Sequence, residues 1–231
     1  DSFFDSGNGG RHVVTANGNA HTDTSVKKIG TASLQVDGVG DYLSVPDSSD
    51  WDYGTNPFTI ECWAYVPSGT GFLTSGEGRI YVGQNYQTDS RSVEFGISSG
   101  AFRVKFNNSD HSNETIISGG TISADTWHHL ALSRTASDAW AIYVDGTRVN
   151  SSTDVRDLPQ PYENYINIGS NIKDGNRDNY FTGYIDDLRI TKGVGRYSGA
   201  SFDVPTAAFT NPTHTITANG DVTQTRAVKK I

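Results

Sequence analysis

Apolar side chains at every second position set the terms for what this chain can fold into. Phe58, Ile60, Cys62, Ala64 and Val66 alternate with Thr59, Glu61, Trp63 and Tyr65. Successive side chains of an extended strand point to opposite faces, so this pattern is a strand with one face in a core. The stretches 79–82, 92–97, 101–106, 127–134, 140–144, 147–150, 164–168 and 180–190 read as further strands. Turn signals such as Ser98-Ser-Gly100 and Asp145-Gly146 separate them, at a spacing of roughly 8–12 residues that suits a sandwich. The 25 glycines and 11% aromatic residues fit many short strands and tight turns. Helix is expected only as a short turn around residues 48–51. A length of 231 residues suffices for one large domain. The fold class is therefore all-β, a sandwich of two antiparallel sheets.

The formal charge of −8 comes without any Lys/Arg-rich run. Nucleic-acid binding lacks its electrostatic footprint. No apolar run is long enough for a membrane-inserted helix. Cys62 is the single cysteine, so an intrachain disulfide is excluded, and its apolar surroundings read as core. No signal-peptide pattern is visible. The sequence starts at Asp1 and has no methionine, as a processed product or part of something longer would.

The two ends repeat one another. His12-Val-Val-Thr-Ala-Asn-Gly18 returns as His214-Thr-Ile-Thr-Ala-Asn-Gly220, and Val26-Lys-Lys-Ile29 as Val228-Lys-Lys-Ile231, at one constant offset. A period this long is a whole domain and no solenoid unit. The expectation is tandem copies: a domain over residues 1–210, then a linker and the opening segment of a second copy over 211–231. Pro205 and Pro212 mark residues 199–213 as the stretch leaving the first domain.

Four ordered motifs resemble laminin-G-like domains of the concanavalin A-like superfamily. Val36-Asp-Gly-Val-Gly-Asp-Tyr-Leu-Ser-Val-Pro-Asp47 is similar to their opening hairpin, and Phe58-Thr-Ile-Glu-Cys-Trp63 to the next strand. Trp127-His-His-Leu-Ala-Leu132 with Ile142-Tyr-Val-Asp-Gly146 resembles the central hairpin, and Phe181-Thr-Gly-Tyr-Ile-Asp-Asp-Leu-Arg-Ile190 the closing strand. The tail from Thr191 through Pro205 is similar to versions in phage structural proteins and marine bacterial surface proteins. The resemblance implies a jelly-roll sandwich, often carrying calcium and often binding glycans or proteins.

Some relatives on that fold hydrolyse glycosides with two facing carboxylates, commonly spaced Glu-x-Asp-x-x-Glu. Glu61, Glu77, Glu94, Glu114 and Glu163 show no such spacing, so an enzyme is not expected. His128 and His129 are neighbours on one strand and point to opposite faces; one should pack and one should be exposed. Asp186 shares a face with Leu188 and Ile190 under strict alternation, and Asp37 and Asp41 flank a glycine turn. The three could supply part of a calcium shell; alternatively Asp37 and Asp41 cap a turn and Asp186 pairs with an arginine. Asp174-Gly-Asn-Arg-Asp178 offers oxygens at alternate positions, or is a solvated turn. Tyr86 and Tyr162 sit among amide and carboxylate residues, a mixture suited to a sugar or to a protein interface. Asn107, Asn113 and Asn150 fit the glycosylation sequon. The expected function is a non-catalytic binding or adhesion module for a glycan or surface protein, displayed extracellularly or on a virion. The alternative is a structural repeat that assembles with neighbouring copies.

Overall fold

The computed structural model describes residue 3 and residues 12–83, 92–107, 115–153, 158, 166–173, 176–209, 214–217 and 223–226. The strands in chain order are β1 (Thr15–Asn17), β2 (His21–Asp23), β3 (Ser33–Asp37), β4 (Tyr42–Val45), β5 (Phe58–Tyr65) and β6 (Glu77–Gly83). Then come β7 (Ser92–Ser98), β8 (Ala101–Asn107), β9 (Thr115–Gly119), β10 (Trp127–Arg134), β11 (Ala139–Val144) and β12 (Thr147–Thr153). The last are β13 (Ile166–Ile168), β14 (Asn171–Lys173), β15 (Asn176–Asp178), β16 (Thr182–Lys192), β17 (His214–Thr217) and β18 (Thr223–Arg226). Single 3-10 turns occupy Ser49–Trp51 and Gly71–Leu73. Among the described residues no helix is long and apolar enough to cross a membrane.

Two seven-stranded antiparallel sheets face each other. The first runs β1-β4-β13-β6-β7-β8-β9 and the second β12-β11-β10-β5-β16-β3-β2. The period-two residues of β5 do what their spacing predicts: Phe58, Ile60, Cys62 and Ala64 lie in the core between the sheets. Leu130, Leu132, Trp140 and Ile142 join them from the second sheet, and Ile80, Phe95, Phe102 and Phe106 from the first. Burying each such side chain contributes roughly 1.5–3 kcal/mol. Tyr53 and Tyr81 place their hydroxyls 2.6 Å apart inside this core, which satisfies both. Burial pushes the Cys62 thiol well up, so it packs as a hydrophobe.

The outward residues of β5 are buried as well, and the tail explains why. Residues 193–209 do not leave the domain as the prolines suggest. They run as a strap over the outer face of the second sheet. Thr59 Oγ1 donates to the Val194 carbonyl, the Tyr197 N–H donates to Ser133 Oγ, and the Phe202 N–H donates to the Gly146 carbonyl. Tyr197 and Phe202 stack at 3.6 Å and pack with Ala131, Ala141 and Tyr143 as a second, smaller core. Proline ends regular structure but does not prevent docking, so composition alone misreads this stretch.

Strict alternation also fails on β16. Asp186 pairs with Trp63 and Arg189 with Glu61, so two residues of β16, Asp187 and Leu188, lie opposite the single residue Cys62 of β5. Asp187 takes φ 50° at this bulge, and the bulge flips the phase of everything after it. Asp186 therefore lies on the outer face beside Trp63, while Leu188 and Ile190 pack against the core. It does not share their face.

Candidate functional site

Both outer faces are covered where their polar groups lie: Asn167, Arg79 and Glu94 of the first sheet are buried together with Val82, as are Glu61 and His129 of the second. The outer face of the second sheet is closed by the strap around buried charge. Arg189 donates Nε–H to Glu61 Oε1 at 2.8 Å, and the Tyr197 hydroxyl donates to Glu61 Oε2 at 2.7 Å. His129 Nε2 lies 3.4 Å from the same carboxylate. Burial pushes the Glu61 carboxyl up, but His129, Arg189 and Tyr197 outweigh it and hold it below its ordinary value. An ionised, arginine-paired carboxylate under a strap is a clasp; it is no proton donor to a sugar.

The outer face of the first sheet is the candidate site. Register fixes a row across it, Ser44–Asn167–Val82–Glu94–Lys105. Beside this row runs a charged ladder. Arg79 donates Nε–H to Glu94 Oε2 at 2.7 Å, and Glu77 bridges Arg79 and Arg103. The reason lies in β13 and β6. Ile166 and Ile168 point inward, so Asn167 must point outward. Ile80 is an extra residue in β6 that keeps Arg79 outward while Tyr81 stays in the core.

At Asn167 in this row the polar chemistry is unfinished. Asn167 is fully buried, and neither its Oδ1 nor its Nδ2 has a hydrogen-bond partner. Ser170 Oγ, three residues on, is also buried and unpartnered. Buried polar atoms are nearly always paired, and leaving one unmade costs roughly 1–3 kcal/mol. A carboxamide and a hydroxyl offer both donors and acceptors, the set that recognises a polyol.

Tyr86 and Tyr162 lie outside the described residues. The strand ends nearest them are placed, however. Val82 pairs antiparallel with Asn167, so the end of β6 and the start of β13 meet at one end of this sheet. Sequence reasoning missed Asn167 because an asparagine between two isoleucines carries no motif. Its signal, a polar residue flanked by inward apolar ones, marks only an outward position.

The three candidate calcium ligands are not brought together. Asp41 is buried, and its carboxylate accepts the N–H groups of Asn19 and Asp37. Asp37 Oδ1 accepts the Val39 N–H at 2.7 Å. Both thus cap their glycine turn. Asp186 lies four residues past Thr182, the partner of Asp37, or about 13 Å along the strand. Its Oδ2 accepts the N–H groups of Lys28 and Ile29, each at 2.8 Å, and no arginine among the described residues pairs with it. Burial raises the Asp186 carboxyl pKa and outweighs these bonds. Among the described residues no three His, Cys, Asp or Glu side chains group as a metal site. Asp174 lies outside the described residues, and Asp178 belongs to β15.

The histidines are both buried, against the expectation that one is exposed. His128 accepts the Ser123 N–H on Nε2 and donates from Nδ1 to Asp145 Oδ2 at 2.7 Å. His129 sits under the strap, its ring against Trp63 and Phe202.

Comparison with known proteins agrees with this architecture. No curated protein matches the chain in sequence. Among solved structures, the binding domain of botulinum neurotoxin serotype G is similar, with TM-score 0.60 and 13% identity over 84% of this chain and 45% of that one. The ligand binding domain of botulinum neurotoxin serotype D, solved in complex with N-acetylneuraminic acid, gives 0.59 and 14% over 80% and 44%. The binding domain of Paraclostridial Mosquitocidal Protein 1 gives 0.59 and 12% over the same shares, 80% and 44%. The chain spans under half the length of these proteins, and the likeness is one of fold. The family model of concanavalin A-like lectins and glucanases matches residues 37–194. That span is more than half of the chain and takes in sheets, core and polar row alike: the protein belongs to the laminin-G-like domains of the concanavalin A-like lectin/glucanase superfamily.

Proposed function

We propose that this domain is a non-catalytic binding module that takes a glycan on the outer face of its first sheet, and that it works outside the cell or on a virion surface. One observation carries the reading: Asn167, beside Ser44 and Val82, and Ser170 three residues on hold donors and acceptors without partners among the described residues, and because both are buried a glycan reaches them only by displacing what covers them. The charged ladder beside them supports binding over catalysis, because Glu77 and Glu94 are both engaged by Arg79. A glycoside hydrolase needs two carboxylates free to face a sugar. The toxin binding domains with this fold support a recognition role at the level of fold only.

The test is a glycan array probed with the parent and with Asn167→Leu. Expected is binding by the parent that persists in chelator and is lost in the variant. Binding that is equal in both proteins removes the row from the site. A second reading, a structural repeat that assembles with copies of itself, is favoured by the duplicated end segments. It predicts no glycan binding, with particle or filament assembly lost when the domain is deleted.

A further inference from the structure

The duplicated segment has a seat in this structure, and the seat explains what the duplication preserves. Residues 12–29 hold the domain at several points. His12 Nε2 lies 3.0 Å from Asp50 Oδ2. Asn17 Nδ2 donates to Ser44 Oγ at 3.1 Å. Gly18 takes φ 66°, and a Cβ there would collide with the Asp41 carboxylate and the Gly40 carbonyl. Lys28 Nζ sits 4.4 Å from the Trp63 ring centroid, and Ile29 is buried. At the offset of the repeat every one of these returns: His214, Asn219, Gly220, Lys230 and Ile231. Val14 and Ala20, which pack on or in the core, return as the apolar Ile216 and Val222. Exposed positions fall on both sides of the comparison: Thr15, Ala16 and Lys27 are kept, while others change. Val13 is 69% exposed and becomes Thr215, and the run 21–25 along edge strand β2 is replaced throughout.

Retention of the anchoring groups His12, Asn17, Gly18, Lys28 and Ile29 is what a segment built to occupy the same seat would show. In the first copy β1 pairs with β4 in one sheet and β2 with β3 in the other. In the second copy, among the described residues, β17 and β18 pair with each other alone. A lone two-stranded hairpin is marginal in water, so sheet edges of another domain replace it readily.

We propose that residues 214–231 are the opening segment of a second domain of this same kind, and that they bind its seat of Asp41-, Trp63- and Asp186-equivalent groups. The partner is thus another copy of this domain, joined in the same polypeptide. In that copy Gly220 sits against the Asp41 equivalent, and the N–H groups of Lys230 and Ile231 donate to the Asp186 equivalent. The proposal is independent of the glycan reading.

Two full-length proteins test it. The first carries the sequence of residues 214–231 in place of residues 12–29. Its melting temperature is expected within about 5 °C of the parent, a shift of a few kcal/mol at most for a domain this size. Melting as low as the parent's own Gly18→Val variant overturns the proposal. The second protein continues residue 231 directly with a copy of residues 30–209. Calorimetry is expected to give about twice the parent's unfolding heat per mole. Unchanged heat, with the added copy cleaved at once by protease, overturns the covalent arrangement. In this second protein, Gly220→Val is expected to unfold the added copy alone; loss of both copies together, or of neither, speaks against the seat.

Discussion

Replacing Asn167 by leucine separates function from stability at the candidate site. The side chain is fully buried, and both polar atoms of its carboxamide lack partners. Each unmade bond costs roughly 1–3 kcal/mol, while an apolar group of the same shape avoids that cost. Leucine has the branched four-atom shape of asparagine with a larger volume, so part of the gain is offset by tighter packing, and Val82 already lines the row beside it. Allowing for imperfect packing, Asn167→Leu is expected to gain about 1–3 kcal/mol. For a domain of this length that raises the melting temperature by roughly 2–10 °C. Urea titration measures the same gain as a higher midpoint at unchanged slope. Glycan binding should disappear in the same variant. A protein that is more stable and less able to bind is the signature of a group kept for its ligand. The reasoning is refuted if Asn167→Leu loses more than about 1 kcal/mol, since the carboxamide must then be bonded in the folded domain.

Other perturbations probe the clasp, the strap and the turn. Arg189→Ala leaves Glu61 buried without its cation; a loss of about 3 kcal/mol in chemical denaturation is expected, and a loss under about 1 kcal/mol contradicts the clasp. The Glu61 carboxyl is held below its ordinary 4.5. Its contribution is therefore present above that pH and is lost as pH falls through the lower folded value. Glu61→Gln should flatten the fall of melting temperature with acid below about pH 4.5; an unchanged acid limb rejects this assignment. Asp186 acts in the opposite sense, because its raised value favours the protonated form and its contribution fades as pH rises. Gly195→Ala puts a Cβ into the Arg134 carbonyl; a loss of about 1–3 kcal/mol with faster proteolysis within residues 193–209 is expected, and a neutral variant means that the strap docks loosely. Millimolar calcium should leave the melting temperature unchanged, whereas a saturable rise means that a metal site exists after all.

How much of this was legible in the sequence depends on whether a residue's surroundings are local. The strand β5 was legible because period two is a property of adjacent residues, and each inward position needed only a core to face. Asp186 was not, because its face depends on a bulge opposite Trp63 and Glu61. An inserted residue leaves no local mark beyond the Asp-Asp pair that tolerates φ 50° at Asp187. The strap was misread for a related reason. Pro205 and the small residues around it say that no regular element forms there. They say nothing about whether Tyr197 and Phe202 find Tyr143 and Ala131 to pack on. Burial of His129 and Glu61 followed from that docking, so the misread segment also left a buried histidine where one of the pair was expected to be exposed. Asn167 is the reverse case. Its outward direction follows from Ile166 and Ile168, but its missing partners depend on what β4 and β6 place beside it. Alternation tells where a side chain points, and only the tertiary neighbours tell whether its hydrogen bonds are met. Sites of recognition lie in that gap, because a ligand supplies the bonds that the fold leaves unmade.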